Sequence, residues 1–340
     1  MKKTIKEKLL SGDAVTLYLI AALCAVLSYT VYGGSASRHL SSMLISTSCY
    51  IVMAVSLNLV VGLLGELSLG HAGFMSVGLF SGCLFSIATA ETLPMLVRLP
   101  VSMLIGGLAA AVIGLVVGLP ALRLKGDYLA IVTLACGEII KNLITNLKVT
   151  GGALGLNTNT IYSNTKTLLP YAIVLVFLTV IVVMNLKKSK QGRAIMAIRD
   201  NRIAAESNGV DVTYYKLMVF MLAAFFAGAA GALYGHSLAN VKAAAFDYNM
   251  SIEILVIVVL GGMGSIRGSV IAAIVLRVLP ELLRGIKDYR MLVYSVLLIL
   301  IMLLNASPKF LEMKGRWSIK SLLALLRRGK KKTEESEARV

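Results

Sequence analysis

The sequence predicts an all-α membrane protein, a polytopic transmembrane helix bundle of about ten segments, some of them broken or re-entrant. Two observations carry this prediction. Hydrophobic residues make up 57% of the 340 residues and charged residues only 15%, which is the balance of a chain whose main solvent is lipid. The apolar residues also fall into runs of roughly 20, the length that an α-helix needs to cross the hydrocarbon core.

The distribution of the net charge of +17 supports a membrane protein over a nucleic-acid-binding one. Lys and Arg gather at the N-terminus, in a central stretch and in the tail from Lys309, between apolar runs rather than in a folded basic domain. Such clusters mark loops at a membrane surface. We therefore expect these charges to face the lipid bilayer, and we expect no nucleic-acid partner.

Ten apolar runs follow one another along the chain, although nine also fit the sequence. The first follows a basic start that imitates a signal peptide, but at about 19 residues it is long enough to remain as a span. The run at 251–263 is short and is either a span or a re-entrant segment. The runs cover residues 14–33, 43–64, 70–90, 96–120, 128–147, 168–186, 215–238, 251–263, 266–284 and 290–306.

The orientation follows from alternate crossings by these runs. Basic clusters before the first run, between the fourth and fifth, and after the sixth fall on one side, which the positive-inside rule assigns to the cytoplasm. Both termini are then cytoplasmic. The sequence predicts an N-terminal segment at 1–13, a transmembrane domain at 14–306 with a cytoplasmic loop at 187–214, and a basic tail at 307–340.

Glycine-rich breaks interrupt the apolar pattern once in each half of the chain. The first lies in residues 57–79, LNLVVGLLGELSLGHAGFMSVGL, and the second in residues 261–264, GGMG. Backbone freed within a membrane must be satisfied by protein or water, so broken helices typically line a substrate path. The alternative is that small residues only permit close helix packing. The candidate path residues at the breaks are Asn58, Ser68, Gly70, His71, Gly73, Phe74, Gly261, Gly262 and Gly264.

A polar stripe marks the fifth apolar run. Glu138, Lys141, Asn142, Thr145 and Asn146 recur at intervals that put them on one face of a helix. Because a carboxylate is costly inside a bilayer, this face should meet protein or a wet cavity. Glu138 and Asn142 are therefore further candidates for the path. A structural ion pair between Glu138 and Lys141 is the alternative.

Motifs for catalysis are absent from the sequence. No GxxxxGK[ST] phosphate loop is present, which excludes nucleotide hydrolysis by that route. The three histidines lie far apart without HExxH, and the four cysteines stand singly without a CxxC pair. We expect no catalytic residue, no metal and no cofactor, and an intramembrane enzyme is the weaker alternative.

The central polar stretch predicts a contact with another protein chain. A short helix is expected from about residue 201 to residue 208, with Asp200 as its N-cap and Gly209 as its C-terminal stop. Its apolar residues do not form the stripe of a helix that lies on a membrane. A motor on another chain is the natural partner. In a stand-alone channel or secondary carrier, the stretch would be only a linker.

Five blocks of the sequence, in order, resemble one family of transporters. They are GLLGELSLGHAGF at 62–74, KGDYLAIVTLACGEII at 125–140, TGGALGL at 150–156, AIRDNRIAAESNGVDVTYYKLMVFMLAAFFAGAAGALYG at 197–235 and SIEILVIVVLGGMGSIRGS at 251–269. Together they resemble the M-type permease of bacterial branched-chain amino acid ABC importers, over residues 50–306.

The resemblance implies a multi-pass protein of the bacterial cytoplasmic (inner) membrane that imports leucine, isoleucine, valine or a similar small polar solute by alternating access. It implies an H-type permease paralogue as heterodimer partner, two ATP-binding subunits that hydrolyse the ATP, and an extracytoplasmic substrate-binding protein. It also implies that the central short helix is a coupling helix that docks on an ATPase. The residues of that helix are Arg199, Asp200, Asn201, Arg202, Ala204, Ala205, Glu206 and Gly209.

The chain departs from the family pattern at three positions. Glu66 stands where such permeases more often have Gln. Arg267 and Ser269 stand where an aromatic or aliphatic residue and Pro are common. Related permeases serve urea, short amides or sugars, so these substrates are alternatives to branched-chain amino acids.

Overall fold

The computed structural model describes residues 38–121, 123–124, 126–282 and the single helical positions 292, 295, 296, 299 and 303. The predicted segment 1–13, the first apolar run, most of the last run and the tail at 307–340 lie outside these residues. The chain forms two compact units, Met1–Arg277 and Val278–Val340. The described positions of the second unit are all helical, and every contact below belongs to the first.

Helices dominate the described part of the chain. Helix α1 continues directly into a π-helix, Leu59–Leu64, and two short strands, β1 (Leu156–Asn157) and β2 (Asn240–Val241), form one antiparallel pair. Single 3₁₀ turns lie at Lys148–Thr150, Gly152–Leu154 and Ala243–Ala245. The α-helices are α1 Arg38–Asn58, α2 His71–Ala88, α3 Met95–Ala121, α4 Asp127–Asn146, α5 Thr165–Lys188, α6 Lys190–Asp200, α7 Arg202–Ser207, α8 Val212–His236, α9 Tyr248–Gly261 and α10 Ile266–Leu282.

Seven helical segments of the described residues are long and apolar enough to cross a membrane. They match the second to eighth predicted runs, which confirms the all-α polytopic fold, whereas the count of about ten segments is not confirmed. The eighth contains α9, whose 14 residues extend about 21 Å, short of the roughly 30 Å hydrocarbon core. The segments are Met43–Leu64, His71–Ala88, Met95–Ala121, Asp127–Asn146, Thr165–Lys188, Val212–His236 and Ala243–Gly261.

Helix α8 packs against α2 and α3 through small residues. A Cβ added at Gly78 of α2 would overlap the backbone of Gly228 in α8, and one added at Gly231 would overlap the carbonyl oxygen of Met75. Close approach of small residues is how helices associate in lipid, where apolar burial gives little driving force. The segment FFAGAAGALYG, residues 225–235, therefore serves helix packing.

Helix α1 is the most enclosed of the seven segments. It packs against α5, α8 and α9 and is buried along almost its whole apolar length, whereas α4 packs on α2 and leaves most of its surface exposed. The end of α1, where the first glycine break begins, therefore lies inside the bundle.

The polar stretch between α5 and α8 forms two helices, and we call residues 187–211 the connector. Ser189 caps α6, since its hydroxyl accepts a hydrogen bond from Gly192 N at 3.0 Å. Asn201 caps α7 by accepting from Ala204 N at 3.1 Å. The prediction that Asp200 caps the short helix is wrong, because Asp200 ends α6 and the extended backbone of Asn201 separates the two helices. Gly209 has a φ of +78°, as expected of a helix stop.

Candidate functional site

The first glycine break separates the π-helix from α2. Gly65 ends the helix with a φ of +78°, a left-handed conformation that glycine adopts without steric cost. Non-helical backbone follows until His71 opens α2. Side chains and backbone of α4 stabilise this stretch: Leu69 N donates to Thr133 Oγ1 at 3.0 Å, and a Cβ added at Gly70 would overlap the carbonyl oxygen of Thr133.

The second break separates α9 from α10. Helix α9 ends at Gly261, and Gly262 and Gly264 have φ values of +89° and +79°. A Cβ added at Gly268, in the first turn of α10, would overlap the carbonyl oxygen of Gly261. The two backbones at this break are therefore in close contact, which only glycine allows at these positions.

The two breaks meet in the structure. A Cβ added at Gly62, one turn into the π-helix, would overlap the backbone nitrogen of Gly264. Asn58 joins the two sides, since its Oδ1 accepts from Gly264 N at 2.8 Å and its Nδ2 donates to Ser269 Oγ at 2.9 Å. Asn58 and Ser269 are buried. We call this contact of Gly62, Gly264 and Asn58 the crossing.

The other candidates near the first break lie in the core of the bundle. His71 Nε2 lies 2.8 Å from Ser56 Oγ, and both side chains are buried. Phe74 packs edge to face on Phe220, with ring centroids 5.4 Å apart. Gly73 lies against Gly137 of α4. Ser68 is buried, and its hydroxyl has no hydrogen-bond partner within the described residues.

The polar stripe of α4 forms mainly local contacts. Glu138 pairs with Lys141, which is the structural alternative that the sequence allowed, and its Oε1 accepts from Tyr248 N at 3.0 Å. Thr145 Oγ1 and Asn146 Nδ2 bond to carbonyl oxygens of their own helix. Asn142 is exposed. Glu138 therefore ties α4 to the start of α9, apart from the crossing.

A charged cavity of about 230 Å³ lies beside the first break. Lys216 of α8 forms an ion pair there with Glu66, and their side chains are only 4% and 14% exposed. Asp127 of α4 and two arginines of the connector, Arg199 and Arg202, complete its charged lining. Sequence reasoning missed Lys216, although a single lysine inside the run at 215–238 was a local signal of a paired charge.

Two cations of the connector reach the crossing itself. Arg199 Nη1 donates to the carbonyl oxygen of Gly62 at 3.1 Å. Lys187 Nζ donates to the carbonyl oxygen of Gly264 at 2.8 Å. The structure thus places Arg199, a predicted residue of the coupling helix, at the break and not on the short helix α7.

Helix α7 presents one side to its own chain and the other outward. Ala205 is 5% exposed and lies against the protein, whereas Ile203 is 76% exposed. Arg202 and Glu206 form an i,i+4 ion pair along one face of the helix. The outward side of this short, capped helix therefore carries an exposed apolar side chain. Within the described residues no cluster of His, Cys, Asp and Glu is arranged to hold a metal ion.

Comparison with known proteins gives matches over most of the chain. Residues 39–304 match the family described as "Branched-chain amino acid transport system / permease component". The chain is 33% identical to the high-affinity branched-chain amino acid transport system permease protein LivM of Salmonella typhimurium and 34% identical to LivM of Escherichia coli. Each alignment covers 88% of this chain and 74% of the relative.

A more distant match is the ribose import permease protein RbsC of Haemophilus influenzae. It is 24% identical over 78% of this chain and 84% of its own length. No solved structure gives a significant match to the chain.

Proposed function

The chain belongs to the family of permease components of branched-chain amino acid transport systems, and from this premise we propose that it forms the membrane path for leucine, isoleucine and valine in an ATP-driven importer. The observation that carries the proposal is the crossing. Irregular backbone at membrane depth is tolerated where it is buried in protein or lines a cavity, and substrates bind at such broken helices. Asn58 and the glycines around it supply polar backbone and amide groups inside the bundle.

Transport in this proposal is driven by other subunits. The sequence has no phosphate loop, so ATP is hydrolysed on two separate ATP-binding subunits. An H-type permease paralogue forms the second half of the path, and an extracytoplasmic binding protein delivers the substrate. The connector faces the cytoplasm and the chain resides in the bacterial inner membrane, in keeping with the basic residues of the connector.

Helix α7 is the docking element for an ATPase in this proposal. Its cap at Asn201 and its stop at Gly209 fix a short helix whose outer side carries Ile203. ATP-driven closure of the ATPases moves α7, and the broken helices rearrange between outward and inward access.

Uptake by the reconstituted importer tests the substrate. The chain is purified with its partner subunits and placed in proteoliposomes. ATP is added on the side of the membrane that carries the ATP-binding subunits, and the binding protein and radiolabelled leucine are added on the opposite side. We expect ATP-dependent uptake that unlabelled isoleucine and valine inhibit and that ribose and urea do not. Uptake of ribose or urea in place of leucine would contradict the substrate assignment.

Docking is tested by Ile203→Glu. Because the Ile203 side chain is exposed, this substitution should leave the fold of the chain itself unchanged. The purified complex should lose its ATPase subunits. Leu154→Glu is the matched control, since Leu154 is 82% exposed on the loop after α4 and should leave the complex intact. Equal loss in both variants, or in neither, would contradict the docking role.

Orientation is tested by single cysteines at Ser207 and Asn159 in a chain whose native cysteines are replaced. Both positions are exposed. We expect an impermeant reagent to label Asn159→Cys from outside the cell and Ser207→Cys only after the membrane is opened. The reverse pattern would invert the topology.

A further inference from the structure

Two carbonyl groups at the crossing take their hydrogen bonds from the connector. Gly62 and Gly264 are in backbone contact; Gly62 lies near the C-terminal end of the π-helix and Gly264 in the turn after α9, where carbonyl groups lack intrahelical donors. A carbonyl inside a membrane bundle needs a donor. Arg199 supplies it to Gly62 at 3.1 Å and Lys187 supplies it to Gly264 at 2.8 Å.

The two donors lie near opposite ends of α6. Lys187 lies in the last turn of α5, just before the Ser189 cap of α6, and Arg199 lies in the last turn of α6. Helix α6 is anchored by its buried residues Ile195 and Ile198. A displacement of α6 therefore moves Arg199 directly, and it acts on Lys187 through Lys188 and Ser189, the two residues that separate Lys187 from α6.

The guanidinium of Arg199 is oriented by its neighbour. Its Nε and Nη2 donate to Asp200 Oδ1 at 3.0 and 2.9 Å, which leaves Nη1 for the carbonyl of Gly62. The aliphatic part of Arg199 lies over Gly65, where a Cβ would approach its Cγ to 2.6 Å. The contact between the connector and the first break is thus both polar and steric.

We propose that Lys187 and Arg199 are positioning residues that hold the crossing and transmit the movement of the connector to both glycine breaks at once. The inference rests on the proposed function, and it adds the route by which α7 reaches the path. When an ATPase draws α7 away, α6 follows because only Asn201 separates the two helices. Both carbonyls then lose their cationic donors. Asn58 spans the two breaks, so the breaks move as one unit.

Charge-assisted hydrogen bonds suit this role better than backbone ones. They are stronger than neutral hydrogen bonds when formed, yet a long side chain can release a carbonyl without unfolding a helix. The crossing is therefore stable in one state and free to rearrange in another.

The test compares ATP use with transport in the assembled importer. Lys187→Gln and Arg199→Gln are prepared with Arg193→Gln as the matched control, because Arg193 is an exposed cation on α6, the helix of Arg199, and donates to the nearby carbonyl oxygen of Lys188. We expect both test variants to assemble and hydrolyse ATP, while leucine uptake per ATP falls about tenfold. A factor of that size corresponds to the free energy of one charge-assisted hydrogen bond. Arg199→Lys should recover part of the loss, and Arg193→Gln should match the unmodified protein.

A second measurement reports on the break itself. Met263, between the two left-handed glycines, is 64% exposed. In a background without native cysteines, the alkylation rate of Met263→Cys should change when the ATPases are trapped with ATP and vanadate. Arg199→Gln should abolish that change and Arg193→Gln should preserve it.

Three outcomes would overturn the proposal. They are normal uptake per ATP in both test variants, a retained alkylation change in Arg199→Gln, and loss of assembly and ATP hydrolysis together with uptake, which would make the two cations merely structural. The alkylation measurement needs ATP but no amino acid. A protein that transports no branched-chain amino acid yet shows the dependence on Arg199 would therefore contradict the proposed substrate and leave the role of the cations standing.

Discussion

The two glycine breaks meet at the crossing, but different interactions stabilise them. The first, at Gly65 and the non-helical residues up to His71, is surrounded by polar partners: Lys216 pairs with Glu66, and Thr133 bonds to the backbone of Leu69. The second is held mainly by the absence of side chains, because α9 and α10 approach each other through glycines. Both breaks contain close glycine contacts, but charged side chains have the larger part at the first break and limited space has the larger part at the second.

The largest effect is expected where space is most limited. Gly268→Ala places a Cβ onto the carbonyl oxygen of Gly261, and two backbones cannot yield as a flexible side chain can. We expect little or no folded chain in the membrane, measured by fluorescence-detected size-exclusion chromatography.

Gly137→Ala is the control for this prediction. A Cβ at Gly137 would lie 3.4 Å from Gly70 Cα, an ordinary contact, so the variant should fold. Normal yield of Gly268→Ala would show that the second break does not depend on glycine.

The next effect should come from the ion pair at the first break. Glu66→Gln leaves Lys216 without its charged partner at 4% exposure and should cost about 3 kcal/mol in the free energy of unfolding, the lower end for a broken buried pair. The double variant with Lys216→Met removes both charges and should recover most of that loss. Thermal unfolding of the three purified proteins measures the coupling, and additive losses would contradict it.

A smaller effect is expected at a glycine that needs only its backbone conformation. Gly209 has a φ of +78°, and a Cβ there would meet nothing within 4 Å. Gly209→Ala should therefore cost about 1 kcal/mol, and Gly209→Asn less, because Asn tolerates the left-handed region. Urea or thermal unfolding distinguishes the two. A loss as great as that in Gly268→Ala would show that space is limited at Gly209 as well.

The smallest effect should be that of Glu138→Gln. Gln keeps an acceptor for Tyr248 N and loses only the ion pair with Lys141. The side chains of that pair are 27% exposed for Glu138 and 19% exposed for Lys141. We expect less than about 1 kcal/mol and unchanged leucine uptake. Reduced uptake at normal stability would instead place Glu138 on the path.

The positions of the breaks could be predicted from the sequence, because glycine clusters within an apolar run are a local signal. Their meeting could not. Asn58 and Gly264 are 206 residues apart, and no periodicity in a single sequence shows which distant segments touch. The ion pair of Lys216 with Glu66, 150 residues away, was missed for the same reason. It also gives a physical reason for the carboxylate at Glu66.

The connector shows where local reasoning is insufficient. Helix α7 and its stop at Gly209 follow from caps and glycine, which act over three or four residues. Helix α6 was missed because its sequence, KQGRAIMAIRD, contains a glycine and many charges. It is stabilised by the Ser189 cap and by burial of Ile195 and Ile198, and that burial depends on the rest of the bundle.

The small β-sheet limits how this protein can be recombined with its relatives. Strand β1 belongs to the loop after α4 and β2 to the loop after α8, and they pair Leu156 with Val241. Thr158 adds hydrogen bonds to the carbonyl oxygens of Ala239 at 3.0 Å and Leu238 at 2.5 Å. In a chimera that takes one of these loops from another permease, the strand of the remaining loop would have to pair with a strand of different sequence. The two loops must therefore be inherited together, as a single exchangeable block.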